Sequence, residues 1–311
     1  MRTSQGYTSF APTGLWRNRH VQTVSRGVLG LPRRPNWTRE RYRSVHGDYL
    51  SVDRLPLSRP RARMLFLHGI TGCSAASPIP ESAQALADLG VEPWALNLRG
   101  ADGVCPSIPR LYHAGCSDDL DSVFWQLPQD LPWRFVGFSL GANLLLKWLG
   151  ELDRLDGARA LAISCPYDLA ECAHNLEQTP MARAYRWVLV RRLRSLALNF
   201  AQTYPTVLSP ETVRECRTFF DFDDQITAPI HGFDGARDYW RQNSSIHFLD
   251  QISTPTVLLH AADDPFQPRP PVECENKNLS WELYPFGGHV GFQNGLFEDW
   301  LVHRIVTMSS G

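Results

Sequence analysis

Lysine is almost missing from this chain: Lys147 and Lys277 are the only two among 311 residues. Arginine therefore carries nearly all the positive charge, and it does so unevenly. Residues 1–63 hold thirteen Arg against Glu40, Asp48 and Asp53. The formal net charge of −1 argues against nucleic acid as a partner. The basic N-terminal part reads as a solvated arginine face, with an anionic surface or substrate as the alternative. Paired cysteines are missing too. Cys73, Cys105, Cys116, Cys165, Cys172, Cys216 and Cys274 form no C-x-x-C and are odd in number, which suits a reducing compartment better than a disulfide framework. No Cys/His cluster has zinc spacing, and no glycine-rich dinucleotide motif occurs, so neither metal nor organic cofactor is expected. No apolar run reaches the roughly 18 residues that cross a bilayer, and Met1 to Gly6 opens no apolar leader. The expectation is a cytoplasmic globular protein, with peripheral membrane contact left open. Its 43% hydrophobic content suffices for a sizeable core.

Against these absences stands one segment, Gly137-Phe138-Ser139-Leu140-Gly141. It follows the apolar run Trp133–Val136, which reads as a short buried strand, and precedes Ala142–Leu149, which reads as helix. A Ser between two glycines on a strand-to-helix turn is the pattern of a nucleophile elbow. The strained turn projects the hydroxyl alone, and a Cβ at 137 or 141 would collide with the neighbouring element. There the Ser faces the positive end of the helix dipole and the first free N–H groups.

The rest of the chain supplies a setting for that turn. Residues 1–38 read as an arm laid over the core with one short helix, and residues 41–57 as a hairpin. Strands then alternate with helices: Met64–Leu67, a helix near 81–89, Trp94–Leu98, a helix from Asp118 to Leu127 capped by Ser117 or Asp118, the strand into Ser139 and its helix, and Ala160–Ser164. The rhythm resumes at Pro255–His260 and Trp281–Tyr284 and ends in a helix around 295–307. Continuous apolar strands alternating with helices predict a mostly parallel, twisted sheet covered on both faces, an α/β class. Residues 166–254 are too long for a connection and read as a helical cap inserted before the penultimate strand, leaving 1–165 and 255–311 as the core.

A serine hydroxyl needs a base, and that base needs an acid to orient it. In elbow enzymes the chain order is Ser, acid, His. Of the six histidines after Ser139, His289 lies on the glycine-rich loop Phe286–Gly291 between the last strand and the last helix, so it is the candidate base. The acid falls in Ala261-Ala262-Asp263-Asp264-Pro265, just after the penultimate strand. Asp264 is the favoured member, with Asp263 assigned to local backbone N–H groups and Asp168 as a further rival. The oxyanion donors are expected to be the N–H of Leu140 and, from the loop His68-Gly69-Ile70-Thr71-Gly72, that of Ile70. His68 reads as an organiser of that loop rather than a second base.

With these segments in place, the chain resembles the α/β-hydrolase superfamily, and within it the YheT-like bacterial hydrolases and their eukaryotic relatives among the αβ-hydrolase domain lipases. The resemblance rests on His20–Thr23, His68–Gly72, Asn97–Gly100, Tyr112–Gly115, Gly137–Asn143, Ala262–Phe266 and Gly287–Phe292, spread over nearly the whole chain. It implies an α/β-hydrolase fold and a Ser/Asp/His esterase, carried over to Ser139, Asp264 and His289. Asn97, Arg99 and the Gln22 region take architectural places. Thr71 departs from the acidic or small residue of many relatives.

The expected reaction is hydrolysis of a carboxylic ester through an acyl-enzyme, on a small-molecule or lipid-like substrate. The alternatives are an acyltransferase or thioesterase using the same three residues, and a binding module that kept the fold without the chemistry. Substrate choice is assigned to the insert, where Tyr185, Trp187, Phe200, Tyr204, Phe219, Phe220 and Phe222 are candidates to line an apolar pocket. Arg191, Arg192 and Arg194 are candidates to favour a phosphate-bearing or membrane-bound ester.

Overall fold

Alternation of side chains across a strand lets one apolar segment serve two layers. In Ala62–Leu67, Leu65 and Leu67 enter one core cluster while Met64 and Phe66 enter another, so this strand must lie inside a sheet covered on both faces. The computed structural model describes residues 10–29, 35–153, 155–267, 270, 274–295 and 298–309. Their elements run α1 (Arg19–Leu29), β1 (Thr38–Arg43), β2 (Tyr49–Arg54), β3 (Ala62–Leu67), α2 (Ile79–Ala87), β4 (Val91–Leu96), α3 (Ser117–Phe124), β5 (Trp133–Phe138), α4 (Leu140–Glu151) and β6 (Arg159–Ile163). Then come α5 (Leu169–Gln178), α6 (Pro180–Thr203), α7 (Pro210–Glu215), α8 (Phe219–Phe222), a π-helical turn (Asp223–Thr227), α9 (Ala228–His231), α10 (Ala236–Asn243), β7 (Thr256–Ala261), β8 (Leu279–Tyr284) and α11 (Trp300–Met308).

The sheet order is β1-β2-β4-β3-β5-β6-β7-β8. β1 with β2 and β2 with β4 are antiparallel, and every later pairing is parallel. The mostly parallel sheet with helices on both faces is thus the one the alternating pattern predicts. α3 and α4 pack one face around Leu120, Phe124, Leu145 and Trp148, while α2 and α11 pack the other around Ala83, Leu86, Leu301 and Ile305. Helix ends differ from the sequence reading. α3 begins after Cys116 without a side-chain cap, so neither Ser117 nor Asp118 caps it, and α11 begins only at Trp300. Parts of the arm (1–9, 30–34) and of the region before α11 (296–297) lie outside the described residues.

The segment between β6 and β7 is helical, as its composition predicts, but it divides in two. Leu193, Ala197, Phe200, Val213, Phe222 and Ile226 cluster with Leu111 of the loop before α3. Tyr239, Trp240, Leu249 and Ile252 instead join the core that holds α3 and α4. Asn143 of α4 fixes that return, donating to the Ala114 and Asn243 carbonyls and accepting from the Ser245 N–H.

Candidate active site

Strand β5 reaches its C-terminal edge at Phe138, and α4 starts at Leu140, leaving one residue to reverse the chain. That residue is Ser139, with φ 51° and ψ −121°, a conformation L-residues seldom adopt. The reversal is possible because its neighbours lack side chains. A Cβ on Gly137 would lie 2.5 Å from the Gly141 carbonyl oxygen, and one on Gly141 would lie 2.3 Å from that of Leu67.

Ser139 Oγ lies 2.8 Å from His289 Nε2, and His289 Nδ1 lies 2.9 Å from Asp264 Oδ2. With Nδ1–H donating to the carboxylate, Nε2 is left as the acceptor for the serine hydroxyl. Asp264 is fully buried, and its other oxygen accepts from the N–H groups of Phe266 and Gln267. Phe266 stacks on the His289 ring at 4.1 Å between centroids and covers it from solvent. Here the structure redistributes one expectation. The local backbone bonds assigned to Asp263 belong to Asp264, whereas Asp263 accepts from the Gly288 N–H on the histidine loop, and burial pushes its carboxyl above the usual range. Asp168, the further rival, caps α5 by accepting from the Glu171 N–H.

The loop after β3 lies against the serine, since a Cβ on Gly69 would be 3.3 Å from the Ser139 Cβ. Within it, the Thr71 N–H donates to the Tyr112 hydroxyl and the Gly72 N–H to the Gly69 carbonyl. The N–H groups of Ile70 and Leu140 have no acceptor among the described residues, and both residues line the cavity beside Ser139. His68 organises this loop. Its Nδ1–H donates to the Gly69 carbonyl and its Nε2 accepts from the Leu98 N–H, while burial lowers its pKa to about 4 and keeps it neutral. Asn97 accepts from the Ser74 N–H and donates to Asp53, and Arg99 is ion-paired with Asp48 and Asp119, so both motif positions are buried struts. Among the described residues, His46, Asp118 and Asp119 bring three ligand atoms together; His46 is hydrogen-bonded to Asp118 at 2.8 Å and Asp119 is held by Arg99.

Sequence reasoning missed what holds the histidine loop. Val290 and Phe292 have φ of 60° and 49°, strained values for side chains of their shape, and α1 of the N-terminal arm braces them. The His289 N–H donates to Thr23 Oγ1, and Gln22 donates to the Gln293 carbonyl while accepting from its N–H. Arg26 spans the Val290 and Gly291 carbonyls and Asp299. Ser164 at the end of β6 accepts from the Val290 N–H. The sequence signal was the motif His20–Thr23, whose Gln22 and Thr23 also bond the Trp16 and Arg19 carbonyls nearby.

The sequence profile of the alpha/beta hydrolase fold matches residues 62–292. The chain belongs to that family. It is 32% identical to YheT of Escherichia coli over 95% of this chain and 91% of that one. It is also similar to the monoacylglycerol lipase of Saccharomyces cerevisiae, at 30% identity over 79% of this chain and 58% of the yeast protein. Phospholipase ABHD3 of Mus musculus is 26% identical over 92% of this chain and 68% of that protein. Among solved structures, the Pyrococcus furiosus esterase Pf2001 superposes with a TM-score of 0.56 over 96% of this chain and 98% of its own, at 14% identity, a likeness of fold.

Beside Ser139 this hydrolase-fold chain has a cavity of about 90 Å³ walled by the sheet edge and the helices of the insert. Of the seven aromatics assigned to a pocket, Phe219 and Phe222 line it. Trp187 and Phe220 are exposed, Phe200 is buried in the cluster with Leu111, and the Tyr204 hydroxyl donates to the Pro106 carbonyl. Tyr185 bonds His20 of the arm and packs at a tilt against Phe266, 5.5 Å between centroids, tying the cap to the histidine's cover.

Proposed function

We propose that this protein is a serine hydrolase that cleaves carboxylic esters with an apolar acyl part through an acyl-enzyme. The observation that carries the reading is the hydrogen-bonded chain Ser139–His289–Asp264 opening on an apolar cavity. In this mechanism His289 Nε2 takes the Ser139 proton as Oγ attacks the ester carbonyl. The N–H groups of Ile70 and Leu140 hold the oxyanion, aided by the N-terminus of α4. His289 then protonates the leaving alcohol, and water repeats the sequence to release the acid. Asp264 stays ionised and stabilises the imidazolium. Relatives named as a lipase and a phospholipase support ester substrates, and the thiols, all free, suit a reducing compartment such as the cytoplasm.

The test is labelling by a fluorophosphonate, which reacts with an activated serine. The folded protein should be labelled and Ser139→Ala should not, with both melting at the same temperature within a few degrees. Equal labelling of the two, or none of either, would sink the reading. Product analysis in the presence of added alcohols and thiols separates hydrolysis from acyl transfer, since a hydrolase releases the free acid.

A lipid-facing orientation belongs to the same proposal. Among the described residues no helix is long and apolar enough to cross a membrane. Yet α6 carries five Arg and no acidic residue, and it exposes Met181, Trp187 and Val188 next to Arg183, Arg191 and Arg192. Its opposite face supplies Leu189 and Leu193 to the cavity wall. Such a face suits contact with an anionic lipid surface. The protein should co-sediment with phosphatidylglycerol vesicles and be released by 0.5 M salt or by R191E/R192E; no binding, or equal binding to phosphatidylcholine vesicles, refutes this orientation.

A further inference from the structure

The cavity beside Ser139 is lined mainly by apolar side chains, but Asp223 also enters its wall. This residue opens the π-helical turn Asp223–Thr227 between α8 and α9, a local widening of the helix that is uncommon and often accompanies a site. Its Oδ1 accepts from Thr227 Oγ1 at 2.8 Å and its Oδ2 from the Trp240 indole N–H at 2.8 Å. Those bonds fix the carboxyl group's orientation. They leave each oxygen with a lone pair unused, and part of the residue's surface faces the cavity. Around it stand Phe219, Phe222, Leu176, Leu189 and Leu193.

An acid in such surroundings is costly to keep. Burial raises its pKa to about 6 against the pull of the Trp240 and Thr227 hydrogen bonds, and the group faces an apolar space. The Thr227 hydroxyl and the Trp240 indole N–H need an acceptor but not a charged one, so holding them does not by itself account for a carboxylate. Its neighbour Asp224 shows the contrast, for it accepts from the Ala236 N–H at the start of α10 and does not line the cavity.

We propose that Asp223 is a polar subsite of the substrate cavity, accepting a hydrogen bond from a hydroxyl or ammonium group carried by the ester. The cavity then selects esters bearing such a donor over plain alkyl esters of the same length. This rests on the reading of Ser139 as the nucleophile of ester hydrolysis, and it adds to that reading the chemical class of the group bound away from the ester bond.

Three esters matched in length and ending in methyl, hydroxyl and ammonium provide the test. Their kcat/KM values are measured for the wild type, Asp223→Asn and Asp223→Leu, with melting temperatures for all three proteins. The wild type should favour the hydroxyl or the ammonium ester over the methyl ester by about tenfold, the size of one hydrogen bond to a charged group. The ester that gains most identifies which donor the subsite takes. Asp223→Leu should reverse the order, and Asp223→Asn, whose amide retains partners in Thr227 and Trp240, should lose the ammonium preference most. A wild-type preference for the methyl ester, or one equal factor lost on all three esters, overturns the proposal. Calorimetric titration of Ser139→Ala with the same esters reads the subsite without turnover. A donor preference there, with no hydrolysis by the wild type, would overturn the reaction and keep the subsite; absence of any preference overturns the subsite itself.

Discussion

Asp264→Asn should lower kcat/KM for ester hydrolysis by about 10⁴-fold, whereas Asp263→Asn should lower it by about tenfold or less. The two residues are adjacent in sequence, and the difference arises from what each carboxylate touches. Asp264 Oδ2 receives His289 Nδ1–H while Oδ1 receives the Phe266 and Gln267 N–H groups. An asparagine can keep those backbone bonds through its amide oxygen, but its NH₂ then faces Nδ1. The imidazole would respond by protonating Nε2, the nitrogen that must accept the Ser139 proton. Geometry would survive and the base would not. Asp263 Oδ1 meets only a donor, the Gly288 N–H, which an amide oxygen accepts equally well. Initial rates on a short-chain chromogenic ester, taken for both variants beside the wild type, decide the matter. Equal losses, or the larger one at 263, would mean that the 2.9 Å contact between Asp264 and His289 is not the one used in turnover.

The segments that declare themselves in the sequence are those whose interactions are local or repeat with a short period. Met64–Leu67 and Ala160–Ile163 are continuous apolar runs, and each is a central parallel strand. The histidine and the two aspartates stand where strands end, and chain order brings them to the edge that holds Ser139. Turn chemistry resolves less. It gives Asp263 the local backbone bonds that Asp264 makes, because nothing in Ala262-Asp263-Asp264-Pro265 records that Gly288 will approach from another loop. The bracing of the histidine loop is still less legible. Thr23 and Gln22 meet His289 and Gln293 across more than 260 residues, and a polar arm without period carries no trace of that partnership. The inner packing of the insert is illegible for a related reason. Helical composition marks residues 166–254 as one insert, and nothing in it records that Tyr239 and Trp240 join the main core cluster or that Asn143 of α4 donates to the Asn243 carbonyl beside them. Asp223 is one acid among several in the insert until the fold turns it toward the cavity.

The glycines of the serine turn give the largest expected effect on folding. Gly141→Ala should destabilise the protein by about 3–5 kcal/mol, a sizeable part of the 5–15 kcal/mol typical of a folded domain. A Cβ at 141 would stand 2.3 Å from the Leu67 carbonyl oxygen and 2.5 Å from that of His68. Both are backbone atoms, at the end of a strand paired on each side with β4 and β5, so neither can turn aside as a flexible side chain would. Relief requires α4 and β3 to separate by about an ångström, judged against ordinary contact distances. Gly295→Ala is the control, because among the described residues a Cβ there meets nothing within 4 Å and the backbone is not left-handed. Urea unfolding of the two variants should put Gly295→Ala within about 0.5 kcal/mol of the wild type. A Gly141→Ala protein within about 1 kcal/mol of wild type would show that helix and strand yield at this contact. Activity carries a second consequence of the same displacement. The strand end that would move leads directly into Gly69 and Ile70, and α4 begins with Leu140, so the two N–H groups proposed to hold the oxyanion lie on opposite sides of the contact that residue 141 controls. Whatever Gly141→Ala protein remains folded should therefore lose more in kcat than in KM, because a widened gap weakens donors that engage only when charge develops on the oxygen.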